Sequence, residues 1–154
     1  MIKLNDKAPS FTLKNSDEFN IKLSDFVGKW VVLYFYPRDN TPGCTLEALD
    51  FTRLKKDFAL QNAVVLGISK DSCASHKKFT SKKDLTVELL SDPDSEVQKL
   101  YGVWRPKKMM GREFMGTVRS TVLIGPQGRI IRIWDKVKAK GHAEEVLEEL
   151  KQQN

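Results

Sequence analysis

Apolar residues along the chain fall into two short, nearly continuous runs, Trp30-Val31-Val32-Leu33-Tyr34-Phe35-Tyr36 and Ala63-Val64-Val65-Leu66-Gly67-Ile68. Runs of this length predict strands buried on both faces. Between them Leu46, Leu49, Phe51, Leu54 and Phe58 give an amphipathic stretch, predicting one helix from about 42 to 61. Two apolar strands joined by a helix imply parallel pairing with helices on both faces of a sheet.

The remaining elements follow from turn and cap residues. Phe11-Thr12-Leu13 and Ile21-Lys22-Leu23 alternate around Asn15-Ser16-Asp17, predicting an N-terminal β-hairpin. Ser24 to Gly28 reads as a short helical turn closed by glycine. Asp71 or Ser72 can cap a helix running to about Lys83, and Val87–Leu90 predicts a short strand. A brief helix at 95–101 closes at Gly102. Thr121–Ile124 and Arg129–Trp134 flank Pro126-Gln127-Gly128 and predict a second hairpin, followed by an amphipathic helix from Gly141 with Val146, Leu147 and Leu150. From these elements alone the fold class is α/β with a mixed central sheet. No repeat, low-complexity tract or linker interrupts 1–154, so one domain is expected.

Composition and charge remove several function classes. Apolar residues are 40% and charged residues 30%, the balance of a globular chain. No apolar run approaches membrane-span length, and the N-terminal Met1-Ile2-Lys3-Leu4-Asn5-Asp6 lacks a signal-peptide core, so a cytoplasmic protein without membrane partners is expected. The net charge of +6 comes from scattered Lys and Arg, often next to Asp or Glu, as in Lys55-Lys56-Asp57 and Lys82-Lys83-Asp84. That pattern marks solvated helix surfaces, and no nucleic-acid partner is expected. The one basic cluster, Trp104-Arg105-Pro106-Lys107-Lys108-Met109-Met110-Gly111-Arg112, is expected to be an exposed loop with a few apolar anchors. No C-x-x-C pair exists, and His76 and His142 are far apart, so neither a metal site nor a cofactor is expected. His76 lies in a Lys-rich helical stretch and is expected at the surface.

The chemistry-bearing segment is Pro37-Arg38-Asp39-Asn40-Thr41-Pro42-Gly43-Cys44, directly after the first apolar run. Thr41 suits the helix N-cap, and Pro42 suits the first helical position, where its missing N–H costs nothing. Cys44 then falls in the first turn of the helix, at the carboxyl end of a strand. Unpaired backbone N–H groups and the helix dipole favour negative charge there, the condition under which a cysteine reacts as thiolate. Thr41 and Cys44, three residues apart, can face one small volume, and Glu47 is one step further along that face. Burial as a small hydrophobe is the competing fate of a free cysteine.

Pro37, Thr41 and Cys44 occupy the fixed positions of P-x-x-x-T-x-x-C, and the segment resembles the active site of the peroxiredoxins. Asn40-Thr41-Pro42-Gly43-Cys44-Thr45-Leu46-Glu47-Ala48, Gly67-Ile68-Ser69-Lys70-Asp71-Ser72, Ser75-His76-Lys77-Lys78-Phe79, Leu90-Ser91-Asp92, Tyr101-Gly102-Val103-Trp104 and Arg119-Ser120-Thr121 resemble the peroxiredoxin Q branch, also called bacterioferritin comigratory proteins. The resemblance runs in order along nearly the whole chain. It implies a thioredoxin-like fold and a thiol-dependent peroxidase that reduces hydrogen peroxide and organic hydroperoxides through a Cys44 sulfenic acid, re-reduced by thioredoxin or a small thiol. It further implies a monomer.

By the same resemblance Arg119 reaches over Cys44 and supplies a fixed positive charge, Glu47 holds that arginine, Thr41 bonds peroxide or thiolate, and Pro37 shields the sulfur. Many members of the branch carry a second cysteine five residues after the first. Here that position is Leu49, which leaves Cys73 as the possible resolving thiol. Cys73 starts the helix after the neighbouring strand, at the same sheet edge as Cys44, over either the same face or the other. A disulfide needs Cα atoms within about 7 Å, so one or both helix starts would have to unwind. The alternative is a one-cysteine cycle completed by an external thiol. Two other function classes compete. A thiol–disulfide oxidoreductase would normally have C-x-x-C at this helix start, where Thr41 stands. A non-catalytic binding module on the same fold would leave Cys44 unreactive.

Overall fold

The structure, a computed structural model, describes residues 2–154. Its strands are β1 (Thr12–Asn15), β2 (Asn20–Lys22), β3 (Trp30–Phe35), β4 (Ala63–Ser69), β5 (Glu88–Ser91), β6 (Trp104–Met109), β7 (Arg112–Thr117), β8 (Ser120–Ile124) and β9 (Ile130–Trp134). The helices are α1 (Pro42–Arg53), α2 (Lys55–Leu60), α3 (Cys73–Lys83), α4 (Glu96–Leu100) and α5 (His142–Gln153), with a 3-10 turn at Leu23–Phe26. Seven strands form one sheet in the order β2-β1-β5-β4-β3-β8-β9. β3, β4 and β5 pair in parallel, and the other pairings are antiparallel. This is the mixed-sheet, thioredoxin-like architecture expected, with the N-terminal hairpin in place.

β3 is the centre of the sheet and every residue in it is buried. Its alternate side chains feed two cores. Val32 and Tyr34, with Tyr36 just beyond the strand, join Cys44, Phe51, Phe58, Phe79 and Val146 on one face, under α1, α2, α3 and α5. Val31, Leu33 and Phe35 join Phe11, Ile68, Leu90, Tyr101 and Ile130 on the other, under α4 and the N-terminal segment. Burying each large side chain contributes about 1.5–3 kcal/mol. Tyr34 lies across the neighbouring strand, where a Cβ on Gly67 would sit 2.6 Å from its ring. Only glycine fits beneath it.

The parallel strands advance in one direction, β3 to β4 to β5. Right-handed crossovers then put α1 and α3 over the same face. Cys44 and Phe79 accordingly share one core. The possibility that Cys44 and Cys73 start helices on opposite faces is therefore set aside.

Three further expectations are corrected. The single helix expected over 42–61 is two, because Leu54 leaves helical values (φ −94°, ψ 5°). Leu46 and Leu49, expected on the apolar side, are exposed, and the buried stripe of α1 is Cys44, Glu47, Ala48 and Phe51. The basic segment near 104–112 is not a loop. β6 and β7 pair over six residues each as a separate two-stranded hairpin, turning at Met110 and Gly111, both with positive φ. Two left-handed residues give the turn whose twist matches a tight hairpin.

Candidate active site

α1 begins as its sequence requires. Thr41 is extended (φ −94°, ψ 156°), Pro42 opens the helix, and Cys44 lies in the first turn. Thr41 occupies the N-cap position without the capping hydrogen bond. Its Oγ donates instead to Arg38 O at 2.9 Å. That bond uses the hydroxyl proton and leaves the oxygen lone pairs as acceptors. Pro37, half-buried, stands at the entrance of the loop between β3 and α1.

Cys44 is only 2% exposed. Arg119, from the segment between β7 and β8, donates from Nη2 to Cys44 Sγ at 3.2 Å and from Nη1 to Glu47 Oε1 at 2.6 Å. β8 lies beside β3, with Phe35 opposite Ser120. That register brings a residue 75 positions away against the sulfur. Gly43 makes the approach possible, since a Cβ there would be 3.1 Å from Arg119 Nη2.

Glu47 is fully buried, and among the described residues its Oε2 has no hydrogen-bond partner. Burial pushes its carboxyl up to about 7, against the opposing charge and hydrogen bond of Arg119. Burial pulls Arg119 down, but the charges of Glu47 and Cys44 outweigh it and hold the guanidinium above its ordinary value. The arginine is therefore a permanent cation shared between a thiol and a carboxylate.

The sequence matches the AhpC/TSA family over residues 4–133. A relative named putative peroxiredoxin Bcp from Helicobacter pylori is 50% identical over 149 residues, covering 97% of this chain and 98% of the relative. This chain belongs to the AhpC/TSA family and is a peroxiredoxin. Solved structures agree. A cysteine-to-serine mutant of Xylella fastidiosa PrxQ superposes with a TM-score of 0.94 at 42% identity, covering 99% of this chain and 98% of that one. The Xanthomonas campestris bacterioferritin comigratory protein, characterised for alkyl peroxide reduction activity, superposes with a TM-score of 0.91 at 38% identity, covering 99% and 98%.

Cys73, the other thiol of this peroxiredoxin, is half-buried at the first position of α3, behind the N-cap Ser72, whose Oγ accepts from Ser75 N at 3.1 Å. Both cysteines are unpaired.

His76, expected at the surface, is fully buried. It follows the helical spacing of a buried stripe with Phe79, while the lysines around it point outward. Its partner is Asp39, a residue of the Cys44 loop for which sequence alone gave no role. His76 Nδ1 lies 2.7 Å from Asp39 Oδ2, and Nε2 lies 3.0 Å from Leu90 O. Tyr36 Oη donates to Asp39 Oδ1 at 2.6 Å, and Ser75 Oγ donates to Oδ2 at 2.7 Å. Burial pushes Asp39 up, but His76, Tyr36 and Ser75 outweigh it and hold the carboxyl below its ordinary value.

Asp39, Asp71 and His76 each bring a potential metal ligand within 4.8 Å of the others. His76 Nδ1 pairs with Asp39 Oδ2, while Asp71 Oδ2 accepts from the Asp39 backbone N–H and from Ser69 Oγ, at 2.8 and 2.7 Å. The cluster is a hydrogen-bonded network.

Proposed function

We propose that this peroxiredoxin reduces peroxides with Cys44 as nucleophile and Arg119, Thr41, Glu47 and Pro37 around it. The observation that carries the proposal is the Arg119 guanidinium bridging Cys44 Sγ and Glu47. The Cys44 thiolate attacks the terminal oxygen of R–O–O–H. The O–O bond breaks, the sulfur becomes a sulfenic acid, and RO⁻ leaves and takes a proton to become ROH. Arg119 faces the sulfur and the charge growing on the departing oxygen, and Thr41 Oγ accepts from the peroxide O–H. Half-buried Pro37 keeps bulk water from the sulfur. The similarity to the Xanthomonas protein supports organic hydroperoxides among the substrates.

The sulfenic acid is removed by a thiol. Its S–OH and an incoming S–H condense to a disulfide with loss of water, and a second thiol then exchanges to free Cys44. Thioredoxin or a small thiol completes the cycle. Cys73 is a candidate for the first thiol, because it starts a helix over the same face of the sheet. All these residues come from one chain, so a monomer suffices. A cycle that depends on a reduced thiol suits a cytoplasmic setting.

Peroxide consumption with a thioredoxin reducing system tests the proposal. Cys44→Ser is expected to abolish it with the fold intact by circular dichroism, and turnover near the parent rate would refute the assignment. Peptide mapping after one equivalent of peroxide distinguishes the cycles. A Cys44–Cys73 disulfide makes Cys73 the resolving thiol, whereas unchanged turnover of Cys73→Ser supports the one-cysteine cycle.

A further inference from the structure

Cys44, only 2% exposed, is closed to a bulky thiol. The second half of the cycle therefore requires the Pro37–Cys44 segment to move. What opposes that movement is visible in the contacts of the segment. Its only fully paired buried charge is Asp39, 7% exposed, which takes Tyr36 from the end of β3 and Ser75 and His76 from α3 onto one carboxylate. The Asp39 backbone N–H is fixed as well, donating to Asp71 Oδ2 at 2.8 Å, and His76 is braced from behind by Leu90 O of β5. Asn40, the next residue, is held at φ 60°.

The geometry points to Asp39 and His76 as a positioning pair that locks the Cys44 loop onto α3 in the peroxide-reactive arrangement, so that releasing the lock gates thiol access to the oxidised sulfur. This rests on Cys44 being the peroxide-reactive thiol. Neither residue touches substrate. Asp39 acts through the four residues that separate it from Cys44, by fixing where α1 begins. Loosening the pair moves the two half-reactions in opposite directions. Attack on peroxide slows because Cys44 and Arg119 lose alignment. Reduction of the sulfenic acid quickens because the sulfur is uncovered more often.

Asp39→Asn is the direct perturbation. It keeps the shape, removes the charge and sets an amide N–H₂ against one of three converging donors, leaving a buried donor unpaired. The experiment uses the Cys73→Ser background, in which only added thiol can reduce Cys44. Single-turnover peroxide consumption by the reduced protein is expected to fall about tenfold to a hundredfold, the scale of a small misplacement of reacting groups. Re-reduction of the sulfenic form by dithiothreitol is expected to rise by several-fold, and mass spectrometry is expected to show less Cys44 sulfinic acid per peroxide consumed. If Asp39→Asn does not fold, Ser75→Ala, which removes one donor only, decides the matter by showing the same split at smaller size. Both rates falling together, or neither changing, overturns the lock while leaving Cys44 as nucleophile. Activity retained in Cys44→Ser would instead overturn the assignment on which the lock rests.

Discussion

Removing the Arg119 charge is the sharpest test of the site. At 3.2 Å from Cys44 Sγ, a unit charge interacts with a thiolate by about 5 kcal/mol at an effective dielectric constant of about 20. Most of that is present before reaction and does not accelerate it. Only the part that grows as charge moves onto the departing oxygen lowers the barrier. Donors placed for developing oxyanions are worth about 2.7–4 kcal/mol, or roughly a hundred- to thousand-fold in rate. Arg119→Met should therefore slow single-turnover peroxide reduction by about that factor and slow alkylation of Cys44 by iodoacetamide. Stability needs a control, because the substitution leaves Glu47 buried without its ion pair. At neutral pH Glu47 can take up a proton, since burial already pushes it up to about 7. Arg119→Met with Glu47→Gln removes both charges and should recover the melting temperature without recovering the rate. Arg119→Lys should restore part of the rate, since one ammonium cannot face sulfur and carboxylate with a planar fork. A rate within about threefold of the parent for folded Arg119→Met would refute this account of the site.

Glu47 should impose a pH dependence. Below about 7 it is neutral and leaves the whole Arg119 charge to Cys44, so Glu47→Gln should remove an inflection near that pH from the parent's peroxide rate. Its folded value lies above the ordinary 4.5, so the stabilising proton is fully held below 4.5 and lost as pH rises through about 7. Urea unfolding should show the parent losing up to about 3 kcal/mol relative to Glu47→Gln between pH 5 and 8, and a flat difference would contradict the burial argument. Gly43→Ala should raise the melting temperature or leave it unchanged, because alanine favours a helix by about 1 kcal/mol. The same change should slow peroxide reduction several-fold by crowding Arg119 Nη2, and equal rates would show that the arginine relaxes without cost.

The strand, turn and helix that present Cys44 were legible because local rules agree there: an apolar run, an N-cap position and Pro42 at the helix start. The burial of Glu47 and His76 was not, because each is compensated by a partner 72 or 37 positions away. A carboxylate or imidazole in a charged helix looks solvated until that partner is known. The signal was present in the spacing: Cys44, Glu47, Ala48 and Phe51 form a helical stripe in which a glutamate takes a core position. Arg119 was legible only through family resemblance. The β6–β7 hairpin was missed because most of its side chains are at least partly exposed, which removes the alternation that marks a strand.

The bridging of Cys44 by Arg119 also bears on how the chain comes into being. β3 and α1 are made early, and the arginine is encoded 75 residues later, next to a strand that must insert between β3 and β9. A growing polypeptide therefore carries Cys44 without Arg119 while those 75 residues are made. The sulfur meets its counter-charge only once the far end of the sheet has closed. On the assignment proposed above, reactivity toward peroxide therefore requires a completed fold.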